Sequence, residues 1–199
     1  MKEHVVITIG REYGSGGREV GYRLAEKLGI PCYDKELITK AAKESYVSEE
    51  FFNEFDEKII STMYYFGADE YESTRLPRNA ELFRIQADTI RALAEEGSCI
   101  FIGRCADIVL KENPNLVRVF LHAPKEFRKE RIKARHALSD KAALDAMHKI
   151  DKQRQRYYNS FSETKWNDIA GYDLTVNTGT MSLEKAVDVI AAYVEIFKK

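Results

Sequence analysis

The chain has 199 residues and a 44% hydrophobic composition, enough to bury one substantial core and short for two full domains. Its 31 Lys and Arg nearly balance 32 Asp and Glu, for a net charge of −1, so no global field marks a binder of nucleic-acid polymers or of membrane surfaces, and an anion site has to come from local clustering. Cys32, Cys99 and Cys105 form no CxxC pair, and His4, His122, His136 and His148 lack metal-ligand spacing. The opening "MKEHVVITIG" is apolar for too few residues to act as a leader or a membrane span, so a cytoplasmic protein in a reducing compartment is expected.

The first strand is "HVVITIG" at 4–10, followed by a helix over 17–28 and a weaker strand "IPCYD" at 30–34. Helical patterns follow at 35–44, 48–65 and 78–96, then strands "SCIFIG" at 98–103 and "LVRVFLHA" at 116–123. Two more helices, 125–136 and 140–158, lead to the strand "YDLTVNT" at 172–178 and a last helix over 182–197. Nearly continuous apolar strands alternating with helices predict an α/β sandwich: a five-stranded, mainly parallel sheet with helices on both faces, in one domain spanning 1–199. Residues 45–80 hold no convincing strand and are rich in acidic and aromatic side chains, which predicts a helical insert beside the site.

Five glycines lie between Gly10 and Gly21, in a loop that links the first strand to the first helix. Such a loop lets backbone N–H groups approach an anion at a helix N-terminus, so Gly14, Ser15, Gly16, Gly17, Arg18 and Glu19 are expected to bind phosphate. The dinucleotide pattern GxGxxG is only partly met, by Gly14 and Gly16 with Glu19 in third place and Asp34 imitating the ribose-binding acid. The Walker pattern GxxxxGK[ST], anchored on Gly17, is met by that glycine alone, with Arg18 as a cationic substitute for lysine. An arginine there keeps the charge and brings a planar fork for two phosphate oxygens. Arg104 follows a buried strand and a glycine, which places it at the carboxyl edge of the sheet, where ligands of open α/β folds bind. Arg128, Arg131 and Arg135 recur on one helical face, with Arg154 and Arg156 on the returning helix.

The collinear run of "GREYGSGGREVGYRLAEKLGIPCYDKELI", "IFIGRCADIVL", "VRVFLHAPKEFRKERI" and "YDLTVNTGTMSLEKAV" resembles the cytidylate kinases, in particular a divergent bacterial branch of cytidylate kinase-like proteins. The resemblance implies a P-loop NTPase-type three-layer sandwich that transfers the γ-phosphoryl of ATP, with Mg²⁺, to a nucleoside monophosphate such as CMP or dCMP. It implies that 14–18 is the phosphate loop, that Arg104 holds the acceptor phosphate, and that Asp34 and Lys40 lie in the acceptor site. It also implies a helical lid at 125–160, whose Arg128, Arg131 and Arg154 close over polyphosphate. This chain departs from the lysine and nearby Ser or Thr of orthodox members with Arg18, Glu19 and Val20, which leaves Ser15 as the candidate magnesium ligand. That departure keeps a second reading open, a catalytically reduced nucleotide-binding protein acting as a sensor or assembly partner.

Overall fold

The structure, a computed structural model, describes residues 4–35 and 76–198. The helices expected at 35–44 and 48–65, most of the 45–80 insert and Lys40 lie outside the described residues. Five strands form one sheet: β1 Val6–Arg11, β2 Cys32–Tyr33, β3 Cys99–Ile102, β4 Leu116–His122 and β5 Leu174–Asn177. The order is β2-β3-β1-β4-β5, and all four pairings are parallel. Six α-helices accompany them among the described residues: α1 Gly17–Leu28, α2 Leu76–Glu95, the short α3 Ala106–Val109, α4 Lys125–His136, α5 Asp140–Asn159 and α6 Leu183–Phe197. No helix of the described residues is long and apolar enough to cross a membrane.

The strand periodicity of two builds the layers. Ile7 and Ile9 of β1 and Ile100 and Ile102 of β3 join Val20 and Leu24 of α1 and Val187 and Ile190 of α6 in one core. Val6, Cys99 and Phe101 face the other way, against Ile90 of α2 and Ala106 of α3. Both faces of the central strands are therefore covered, which is why their sequences read as unbroken apolar runs. A third cluster, Cys105, Phe120, Tyr158 and Trp166, closes the lower edge of the second face, and a fourth, Ile132, Ala143 and Met147, gives the α4–α5 pair its own small core. Trp166, for which the sequence suggests no function, is thus a packing residue, edge-on to Phe120 at 5.6 Å.

The central strand β1 lies between β3 and β4, so the chain leaves it toward β2 on one side and crosses it from β3 to reach β4 on the other. That reversal puts a crevice at the carboxyl end of β1. The ladder is reinforced next to β5, where Arg118 of β4 meets Asp173: Nη2 lies 2.8 Å from Oδ1, Nε 3.1 Å from Oδ2, and the Arg118 amide donates to Oδ2 at 2.8 Å. Burial pushes the Asp173 carboxyl up, but the hydrogen bonds from Arg118 outweigh it and hold the group below its ordinary range. Its contribution to stability is present above the unfolded pKa and is lost as pH falls through the lower, folded value. Asp173→Asn is expected to cost about 1 kcal/mol, since water screens this half-open pair. Urea unfolding should show that deficit at neutral pH and show it vanish in acid; a deficit independent of pH would refute the ion-pair account.

Candidate active site

The loop between β1 and α1 is pinned by its carbonyls. Arg154 donates to the Arg11 carbonyl at 2.9 Å, Arg128 to the Tyr13 carbonyl at 3.2 Å and Thr178 Oγ1 to the Ser15 carbonyl at 2.7 Å. Because a trans peptide sets C=O and the next N–H in opposite directions, the amides of Gly14 and Gly16 face away from Arg128 and Thr178. Among the described residues the N–H groups of Gly14, Gly16 and Gly17 reach no backbone acceptor. Gly16 caps α1 in the left-handed conformation, φ 86°, with no side-chain cap, so the start of the helix faces the same space as these amides. Ser15 is fully buried, and its hydroxyl donates to the Glu12 carbonyl at 2.8 Å. It fastens the loop from within.

Arginines converge on this loop, as their spacing suggests, but with distinct tasks. Arg128 is mostly buried between Glu12 (3.3 Å) and Asp151 (2.6 Å), and Asp151 also accepts the Tyr13 amide at 2.7 Å. Its charge is thereby compensated, and it ties the α4–α5 pair to the loop. Arg131 reaches Glu19 at 3.2 Å and lies beside Gly16. Arg154 lies over the Tyr13 ring at 5.6 Å, and burial lowers its pKa. Arg135 and Arg156 remain on the solvated face.

Arg18 takes a direction the Walker comparison does not anticipate. It leaves α1 toward Asp34, at 2.5 Å, and lies 5.9 Å from the Tyr22 ring centre. Asp34 is buried at the end of β2 and also accepts the Tyr22 hydroxyl at 2.9 Å, so the acid that imitates a ribose ligand is tied to α1. A residue in the first helical turn projects back and outward, and here the neighbouring strand end supplies its counter-ion.

Arg104 sits in a strained turn. Gly103, Arg104 and Cys105 all have positive φ, at 72°, 63° and 55°, and non-glycine residues hold such angles only where the surroundings over-determine them. The Arg104 guanidinium donates to Gln86 Oε1 of α2 and lies 5.0 Å from the ring centre of Tyr157, whose hydroxyl donates to the same Gln86 oxygen at 3.2 Å. Among the described residues its buried Nε meets no partner. A planar cation fixed on two sides with a buried donor to spare has the form of an anion receptor.

One further cation escapes the motif reading. The Arg11 stem runs across Gly17 and its guanidinium rests against Gly103. Burial lowers its pKa well below the ordinary value, and Arg154 and Arg104 lower it further; Asp34 opposes them and Arg18 adds to them. Gln86, Tyr157 and Thr178 were equally invisible, since their roles arise only where α2, the lid and β5 meet the loop. The one available signal for Arg11 is a charged residue ending an otherwise apolar strand beside a glycine loop.

The group of amides and cations has the chemistry to hold a polyanion. Among the described residues no three His, Cys, Asp or Glu side chains form a metal cage, and magnesium bound chiefly through phosphate oxygens needs none.

Comparison with known proteins agrees. The cytidylate kinase of Pyrococcus horikoshii is 26% identical over 195 residues, covering 98% of this chain and 90% of its own. An uncharacterized protein from Eubacterium ventriosum ATCC 27560 is 31% identical, with a TM-score of 0.75 over 96% of this chain and 98% of that one. Shikimate kinase from Bacteroides thetaiotaomicron, 15% identical with a TM-score of 0.53 over 96% and 99% of the two chains, shares the fold. The model of the cytidylate kinase-like family matches residues 6–180, a span that takes in the glycine loop, the Arg104 turn and the α4–α5 pair, and on that match the chain belongs to the cytidylate kinase-like family.

Proposed function

We propose that this chain is a cytoplasmic kinase that transfers the γ-phosphoryl of ATP to a nucleoside monophosphate, with CMP or dCMP as acceptor. The observation that carries the reading is Arg104, a cation held in a strained turn with a buried donor to spare, next to but separate from the glycine loop. A protein that only binds ATP needs the loop; one that phosphorylates a second phosphate ester needs another cation site beside it. The pyrimidine acceptor rests on the relatives named cytidylate kinase, one of them 26% identical.

Phosphoryl transfer has a loose transition state with charge spread over the equatorial oxygens, so positioning and charge neutralisation do most of the work. In this reading the amides of Gly14, Gly16 and Gly17 hold the donor phosphates, and Arg104 sets the acceptor phosphate in line. Arg131 and Arg154 cover the polyphosphate from the lid and exclude water. Magnesium would neutralise the bridging oxygens.

A second reading, a nucleotide-binding protein that has lost transfer, is favoured by Glu19 and Val20 at the start of α1, where the pattern asks for a hydroxyl. Purified protein given ATP and a panel of monophosphates separates the two: ADP and a diphosphate appear only if the chain is a kinase. Within the first reading, Arg104→Ala should leave ATP affinity nearly intact and lower kcat/KM for the acceptor by roughly two orders of magnitude, about 3 kcal/mol in barrier. Unchanged acceptor kinetics would remove Arg104 from the site. The lid should respond as well: amides of α4 and α5 are expected to gain hydrogen-exchange protection with an ATP analogue. Equal protection with and without the analogue would count against closure.

A further inference from the structure

Arg11 and Gly17 are coupled in a way that no local pattern contains. A Cβ placed on Gly17 would lie 2.6 Å from Arg11 Cβ and 2.7 Å from Cγ, inside any real contact, so glycine at 17 is what lets the Arg11 stem pass. Beyond that crossing, the guanidinium lodges against Gly103, the residue before Arg104. It therefore stands between the start of α1, where the donor phosphates dock, and the turn that carries the acceptor cation. Among the described residues the guanidinium makes no ion pair or hydrogen bond, and the cations Arg154, Arg104 and Arg18 surround it with Asp34 as the opposing charge. A half-buried, unpaired guanidinium among like charges destabilises the empty fold.

The Walker spacing explains the pair when it is moved by one residue. Anchored on Gly16, the pattern GxxxxGK spans 11–17, with arginine where it has its first glycine and glycine where it has its lysine. The two residue types have traded places. We infer that Arg11 is the phosphate-loop cation of this protein: delivered from the end of β1 across Gly17 instead of from α1, it binds the donor's terminal phosphate oxygens, while Arg18 stays with Asp34. Arginine suits this route because its stem reaches around position 17 and its fork meets two oxygens at once. The inference rests on the ATP-dependent reading above and assigns a residue within it.

The test measures binding apart from transfer. Affinity for Mg·ATP and for inorganic tripolyphosphate is determined by calorimetry for the wild type, Arg11→Met and Arg18→Ala. Arg11→Met should weaken both ligands roughly tenfold or more, the scale of a lost charge-assisted hydrogen bond, and Arg18→Ala should do less. The ligand-free melting temperature of Arg11→Met should not fall, because a repelled cation has been removed. Moving the charge is the sharper arm: Arg11→Gly should lose affinity, and Arg11→Gly with Gly17→Lys should recover part of it. Equal affinity in wild type and Arg11→Met, the absence of binding by both included, overturns the inference. So does a double variant no better than Arg11→Gly, or a loss of affinity accompanied by a lower ligand-free melting temperature. If triphosphate binding depends on Arg11 while no monophosphate is phosphorylated, the residue assignment stands and the kinase reading fails.

Discussion

The rest of the site depends on the crowding of guanidinium groups around Arg11 at the carboxyl end of β1. Arg154, Arg104 and Arg18 all lie close enough to oppose its charge, and Asp34 is the carboxylate that favours it. In water such a group would spread apart; here each is fixed by an element that cannot follow. Arg104 is locked by a turn of three positive φ values, Arg154 by a carbonyl and an aromatic face, and Arg11 by the narrow passage over Gly17. The scaffold supplies the rigidity from two apolar cores, one on each face of the sheet. The outcome is a set of cations whose positions are fixed before any ligand arrives.

The α4–α5 pair is part of the same arrangement rather than an attachment to it. Its arginines touch the loop through backbone and carboxylate partners, so its position and the orientation of the loop peptides are set together. Arg128 illustrates the division of labour. Paired with Glu12 and Asp151, it contributes no net field toward a ligand, yet its hold on the Tyr13 carbonyl turns the Gly14 amide toward the anion side. Thr178, after β5, does the same for Ser15 and Gly16. Bonds to the outer edge of the loop thus define what its inner edge presents.

Family membership and this geometry bear on different questions. The match over residues 6–180 assigns the fold and a kinase family. It does not distribute roles among the arginines, because two motif registers, anchored on Gly17 or on Gly16, fit the same glycines. Only the path of a side chain tells them apart. The same holds for Arg18, whose position in the first turn of α1 is compatible with a phosphate contact until Asp34 at the end of β2 is seen beside it.

The sequence by itself determined the elements and their layering. Unbroken apolar runs at β1, β3 and β4 can only be strands covered on both faces, and helical periodicity with the glycine loop settled α1, α4, α5 and α6 almost to the residue. It also pointed to the loop and to Arg104 as candidates for anion binding, since both follow strand ends. What only the tertiary structure decided is where the side chain of each cation ends. That choice depends on contacts across large separations, such as Arg11 against Gly103, Gln86 against Arg104 and Thr178 against Ser15. A periodic pattern reports which face a residue occupies, not where a long flexible side chain ends. Arginine has several rotatable bonds, and its destination is set by the obstacles and charges that other parts of the chain bring to it.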